Sequence, residues 1–285
     1  MSIEPDRQQQ QRRDLAETLR KLRKAAGLSG ERLAARCAMS QAKISRIERG
    51  RSTPSVVDVE RILKALNVPP EVANGLLELA RVANVEYVSW RTYASIGMWK
   101  RQAQLKALAE SSEMVRHFLP AIPSGLLQVP GYAELAVAPA IRSAPKRDVA
   151  KALRARLDRQ AVLENTSRQF IFLMTEQAVR WQYATRTVMA SQCLHMAKLA
   201  ERSNVQISVI PLGRMISNGP LNIFTIYDDR LVLAELFSGG VAMRDPQDIA
   251  YHLDLFDDFL SFALHGDDAT NFLRSIADEF MQGCD

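Results

Sequence analysis

Aromatic residues make up only 7% of the 285 positions, and none occurs before Tyr87. The first stretch of chain must therefore build its core from aliphatic side chains, which suits a small helical unit. Cysteine is also sparse: Cys37, Cys193 and Cys284 are an odd number, far apart, with no Cys-x-x-Cys spacing. That pattern excludes a disulfide framework and argues against a zinc site. No apolar run approaches the roughly 18 residues that a spanning helix needs, so no contact with a membrane is expected. Met1–Arg13 is polar and Gln-rich, without the apolar region of a secretory leader, which predicts a cytoplasmic protein. No nucleophile elbow, metal-spaced His/Cys cluster or phosphate loop is present. The expectation is a protein that is not an enzyme and carries neither cofactor nor metal.

What is present is ordinary globular composition, 47% hydrophobic and 24% charged, over a length that suits about two domains. The net charge of +5 is unevenly spread. Residues 1–81 hold 16 Lys/Arg against 10 Asp/Glu, a surplus of +6, and residues 82–285 hold 21 against 22, a balance of −1. Positive charge gathered on one small domain is the footprint of a nucleic-acid binder. The predicted organisation is a flexible polar N-terminus (1–12), a helical DNA-binding domain (13–83), a joint (84–98) and a larger domain (99–285) for sensing, partner binding or dimerisation.

Within the first domain, Leu15, Leu19, Leu22 and Ala26 recur at helical spacing from about Asp14, and Gly27 stops that helix. Ser29 caps a second helix with Leu33 and Ala34 inward, and Ala34 and Ala35 permit a close crossing. Cys37-Ala38-Met39 turns the chain. Ser40 caps a third helix, in which Gln41, Lys43 and Arg46 point outward while Ile44 and Ile47 point inward. Gly50 ends it. Pro54-Ser55 opens a fourth helix burying Val56, Val59, Ile62, Leu63 and Leu66. A fifth, from about Pro70 to Ala83, buries Val72, Leu76, Leu79 and Ala80.

Leu28-Ser29-x-x-x-Leu33-Ala34, Ser40-Gln41-x-x-Ile44-Ser45-x-Ile47-Glu48-x-Gly50 and Pro54 together resemble the Xre (Cro/repressor-type) helix-turn-helix family. The resemblance implies that the third helix enters the major groove of an operator in double-stranded DNA. Gln41, Ala42 and Arg46 match the base-reading positions, and their chemistry suits adenine, the thymine methyl and guanine respectively. Ser40, Lys43, Arg49, Arg51 and Arg32 are expected on phosphates, which position the protein without reading sequence. Glu48 matches the family's structural acid. Where the family often has Gln at the start of the second helix, this chain has Gly30, and backbone amides with Arg32 are expected in its place.

The rest of the chain predicts an α+β domain with a small antiparallel sheet. Strands are expected at Met114–Leu119, Gln169–Met174, Val205–Val209, Leu221–Tyr227 and Leu231–Phe237. A charged helix from Pro145 to about Glu164 would bury Ala150, Leu153, Leu157 and Ala161. It would leave Lys146, Arg147, Lys151, Arg154 and Arg159 on a solvated face or a second DNA-facing patch. The helix that Asp245 caps carries two apolar stripes, as in a helix buried between layers or half of a dimer interface. Among Glu164, Glu176, Glu235, His117, His195, His252 and His265, Glu235 stands out, because a buried acid there needs a partner such as Arg.

Gly125-Leu126-Leu127-Gln128-x-Pro130-x-Tyr132-Ala133, Arg156-x-x-Arg159-Gln160 and Val205-x-Ile207-x-Val209-Ile210-Pro211 resemble the C-terminal domain of actinobacterial WhiJ-like, antitoxin-like regulators. That resemblance implies a regulator paired with a small partner protein encoded nearby. The expected function is a homodimeric, sequence-specific transcriptional regulator. The alternatives are an antitoxin-type protein that neutralises its partner and autoregulates, or a ligand sensor with a cryptic pocket.

Overall fold

The computed structural model describes residues 5–138 and 148–282, so Cys284, Pro145, Lys146 and Arg147 lie outside the described residues. The chain divides into two compact units, Met1–Tyr87 with Ala242–Asp248, and Val88–Val241 with Ile249–Asp285.

The first unit is built from α1 (Pro5–Ala25), α2 (Gly30–Arg36), α3 (Gln41–Glu48), α4 (Val56–Ala65) and α5 (Pro70–Asn84). Local chemistry sets these boundaries. Gly27 and Gly50 adopt φ of +66° and +65°, a left-handed turn that an L side chain resists. Ser29 and Ser40 accept hydrogen bonds from the amides of Arg32 and Lys43, and Ser55 forms a reciprocal capping box with Asp58. The core is aliphatic throughout, with Leu15, Leu19, Leu33, Ile44, Ile47, Val59 and Ile62 buried.

Four details differ from the periodicity. Residues from Pro5 to Arg12, expected to be flexible, continue α1, because Gln and Arg are good helix formers. Arg12 also anchors the helix by donating to the Ala83 carbonyl at 3.1 Å. Ala26 lies past the end of α1 and is exposed. Ala35 is exposed while Ala34 is buried, since one residue of helix turns the side chain by about 100° away from the crossing. Val72 is 50% exposed, and the buried stripe of α5 is Leu76, Ala80 and Ala83.

The sheet is larger than expected and mixed rather than antiparallel. Its strands are β1 (Val85–Ser89), β2 (Met114–Leu119), β3 (Gln169–Thr175), β4 (Val205–Ile210), β5 (Ile223–Tyr227), β6 (Leu231–Leu236) and β7 (Gly239–Met243), in the order β1-β7-β6-β5-β2-β3-β4. Strands β2, β3 and β4 run parallel, and β2-β5 and β5-β6 run antiparallel. The helices are α6 (Trp90–Ile96), α7 (Met98–Glu110), α8 (Pro130–Val137), α9 (Val149–Arg159, continued by a 3-10 turn to Glu164), α10 (Gln177–Arg180), α11 (Arg186–Leu199), α12 (Pro246–Ser261) and α13 (Gly266–Gln282). Helices fall between β2 and β3 and between β3 and β4, the arrangement that parallel pairing requires. The stretch expected as a joint forms β1 and α6.

The two faces of β2 differ in character. Phe118 stacks on Phe259 of α12 at 4.4 Å and on Phe224 at 5.1 Å. On the other face His117 stacks on Phe172 at 4.9 Å, and its Nδ1 pairs with the Thr225 hydroxyl at 3.0 Å.

Three glutamines shape the segment between β2 and α8. Gln192 donates to the Leu127 carbonyl at 2.6 Å and accepts from the Val129 amide at 2.9 Å. Gln160 donates to the carbonyls of Gly125 and Gln128, and Gln128 donates to that of Pro123. These bonds satisfy backbone carbonyls that no strand or helix serves.

Burial holds the His117 pKa down at about 3, with Arg159 nearby acting in the same direction. The unfolded chain takes up this proton near pH 6.5. Stability that is present above pH 6.5 is therefore lost as pH falls towards 3, by up to about 1.4 kcal/mol per pH unit. The three tryptophans, Trp90, Trp99 and Trp181, all lie in the second unit, so urea unfolding followed by their fluorescence reads it. In His117→Gln this slope should be shallower by one proton than in the parent; an unchanged slope would show that His117 does not carry it.

Candidate nucleic-acid interface

Helix α3 divides sharply by burial. Ile44 and Ile47 are each 1% exposed, whereas Gln41, Ala42, Arg46 and Arg49 are exposed on the opposite side. All three residues expected to read bases therefore share one open helical face. Ser40 and Arg51 flank it and are exposed, as is Arg32 on α2. The Ser40 oxygen is already engaged as the helix cap, accepting from the Lys43 amide at 3.2 Å.

Lys43 is placed differently from the other cations. Its ammonium donates to Asp58 of α4 at 2.6 Å, where the carboxylate is 9% exposed and the lysine side chain 42%. Asp58 in turn accepts from the Ser55 amide, so one buried acid links α3 to the start of α4. The partner of Lys43 is supplied by a different helix.

A second buried pair fixes the far end of α3. Arg23 of α1 donates from Nε and Nη2 to the two Glu48 oxygens at 2.6 and 2.8 Å, and from Nη1 to the Leu28 carbonyl at 2.7 Å. The two side chains are 14% and 10% exposed. The Glu48 contact is the main cause raising the Arg23 pKa. Arg23 falls off the apolar stripe of α1, yet it turns inward and bridges three segments. Glu48 thus has a structural partner.

The acids and histidines of the second unit do not assemble into a metal cluster among the described residues. Glu176 is tied to Arg180 and accepts from the Leu212 amide, and Arg180 also bonds Glu279 at 2.6 Å. His265 pairs with Ser208 at 3.0 Å. The apolar stripe expected on α9 is displaced: Ala150 and Ala161 are exposed, while Ala152 and Arg159 are buried. Arg159 is therefore not part of a solvated face or a DNA-facing patch. Its aliphatic stem lets it enter a core that hydrophobicity alone would not assign to it.

Residues 14–75 match a family model described as a helix-turn-helix domain, which suggests DNA binding. Residues 102–275, well over half of the chain, match a model described as a domain of unknown function (DUF5753). No curated protein matches the chain. Among solved structures, a phospholipase D family member, Nuc, from Salmonella typhimurium aligns at 12% identity and a TM-score of 0.32, over 58% of this chain and 90% of that one. An archaeal chromatin protein, TrmBL2, aligns at 14% identity and the same TM-score, over 73% of this chain and 66% of that one. No helix among the described residues is long and apolar enough to cross a membrane.

Removing Arg23 would leave Glu48 charged and largely buried. Arg23→Met should cost the first unit about 3–5 kcal/mol, and Arg23→Met/Glu48→Leu should recover much of that loss. Hydrogen exchange of the α3 amides in the full chain reads both. A double variant no better protected than the single one would refute the pairing.

Proposed function

Since the chain belongs to the DUF5753 family and carries a helix-turn-helix domain, we propose that it is a sequence-specific DNA-binding transcriptional regulator. The single observation that carries this reading is the open face of α3, which presents Gln41, Ala42 and Arg46 to solvent while Ile44 and Ile47 anchor the helix. Gln pairs in bidentate fashion with adenine, Arg does so with guanine, and Ala accepts a thymine methyl. Arg49, Arg51 and Arg32 supply phosphate contacts around that face, and Ser40 a hydroxyl. Lys43 reaches the same backbone only while neutralising Asp58, so its contribution is the smaller one.

One helix covers too few base pairs for useful specificity. The protein therefore acts as a homodimer on half-sites about 10 base pairs apart, one turn of DNA. The DUF5753 part serves as its sensing or partner-binding element, with a small protein or effector as its ligand.

Fluorescence anisotropy of the full-length protein on its own promoter, against scrambled DNA and across a salt series, tests the assignment. The promoter should win, with a steep salt slope. Arg46→Ala should lose about 1–3 kcal/mol of discrimination at one base position. Arg49→Ala should weaken binding to all sequences and reduce the salt slope by about one ion. Equal losses on promoter and scrambled DNA for both variants would sink the division into reading and positioning residues.

A further inference from the structure

The cations around the open face of α3 are not equivalent. Among the described residues, Arg46 and Arg49 have no carboxylate partner, whereas the Lys43 ammonium lies 2.6 Å from Asp58. That carboxylate is held from its own side. Its Oδ1 takes the ammonium, and its Oδ2 accepts from the Ser55 amide at 3.2 Å. The Asp58 amide donates back to the Ser55 hydroxyl at 3.1 Å, so the acid moves only if the start of α4 opens. Asp58 as a whole is 6% exposed, yet the lysine side chain that meets it is 42% exposed. The pair thus stands at the border between core and solvent, buried on the acid side and open on the lysine side.

The capping box needs an acceptor at residue 58, which a neutral amide also supplies. The negative charge has a separate consequence. A free lysine is a compact charge on a flexible four-carbon stem, and it finds a phosphate in almost any docked pose. Phosphates are alike in every sequence, so such a contact strengthens binding to random DNA without adding discrimination. A lysine fastened to Asp58 is neutralised and held in one place. It gains a phosphate only in a pose that brings one to that place, a condition that the many poses on random DNA seldom meet. We infer that Asp58 is a selectivity residue of the DNA reader, acting through Lys43. It withholds the lysine from the general attraction to phosphate and leaves discrimination to Gln41, Ala42 and Arg46. The inference rests on the DNA-reading function proposed above.

The test uses the full-length chain, with promoter and scrambled duplexes as probes in fluorescence anisotropy across a salt series. Asp58→Asn removes the charge and keeps an acceptor for the Ser55 amide. It should raise affinity for scrambled DNA about fivefold to tenfold at roughly 0.1 M salt and steepen the salt slope by about one ion. Promoter affinity should rise by no more than about twofold, so the preference for the promoter falls. An acid needed only for structure gives the opposite sign, because a loosened α3 binds both duplexes less tightly. Unchanged binding to scrambled DNA, weaker binding to both duplexes, or gains of equal size on both would each overturn the role. Lys43→Gln/Asp58→Asn removes the pair together, and its salt slope on scrambled DNA should match that of the parent. A slope lower by about one ion in this double variant would show that Lys43 already binds phosphate in the parent, and would also overturn the role. If Asp58→Asn fails to fold, the double variant decides alone. A parent protein with no preference for its promoter would refute the DNA-reading function itself, and the role of Asp58 with it.

Discussion

The guanidinium of Arg23 bonds both oxygens of Glu48 and the carbonyl of Leu28, and the pose of α3 follows from that three-way contact. A helix of eight residues is too short to hold its own shape in water, so its order comes from what it is fastened to. Ile44 and Ile47 supply attraction without direction. The ion pair supplies direction, since two oxygens and a planar fork meet well in one orientation. At the other end Lys43 and Asp58 tie the first turn of α3 to the capped start of α4. The exposed side chains on the outer face inherit whatever precision these two links provide.

The second unit places polar groups inside in two contrasting ways. Between β2 and α8, the glutamines 128, 160 and 192 bond one carbonyl or amide after another, so an irregular segment is held as firmly as a strand. Beside it, Arg101 and Arg159 keep nitrogen atoms without partners. The first kind of burial fixes the backbone, and the second leaves the Nε atoms of Arg101 and Arg159 out of water at a desolvation cost.

The first unit was largely legible because its signals are local. Ser29, Ser40 and Ser55 cap the helices they precede, Gly27 and Gly50 sit where the chain must turn left-handed, and the aliphatic spacing of Leu15 and Leu19 marks the buried face. Lys43 was not legible, since its partner Asp58 belongs to the next helix. Arg159 was missed for a related reason. Periodicity assigns alanines and leucines to the inside of α9, and only tertiary packing reveals that an arginine shares it. The five strands read from alternation and apolar runs were found near their expected places. Which of them would lie side by side, and in which direction, depends on crossovers that alternation does not encode.

Ala242–Asp248 belongs to the first unit although some 150 residues of the second intervene. Arg81 pairs with Asp245 at 3.7 Å and Glu86 with Arg244 at 3.6 Å, so the return stretch brings charge partners of its own. A module assembled from two separated stretches does not travel as a cassette. A single recombination point after Tyr87 transplants five helices without the segment that their last turn pairs with. A cut at that point therefore costs the first unit two ion pairs, Arg81 with Asp245 and Glu86 with Arg244.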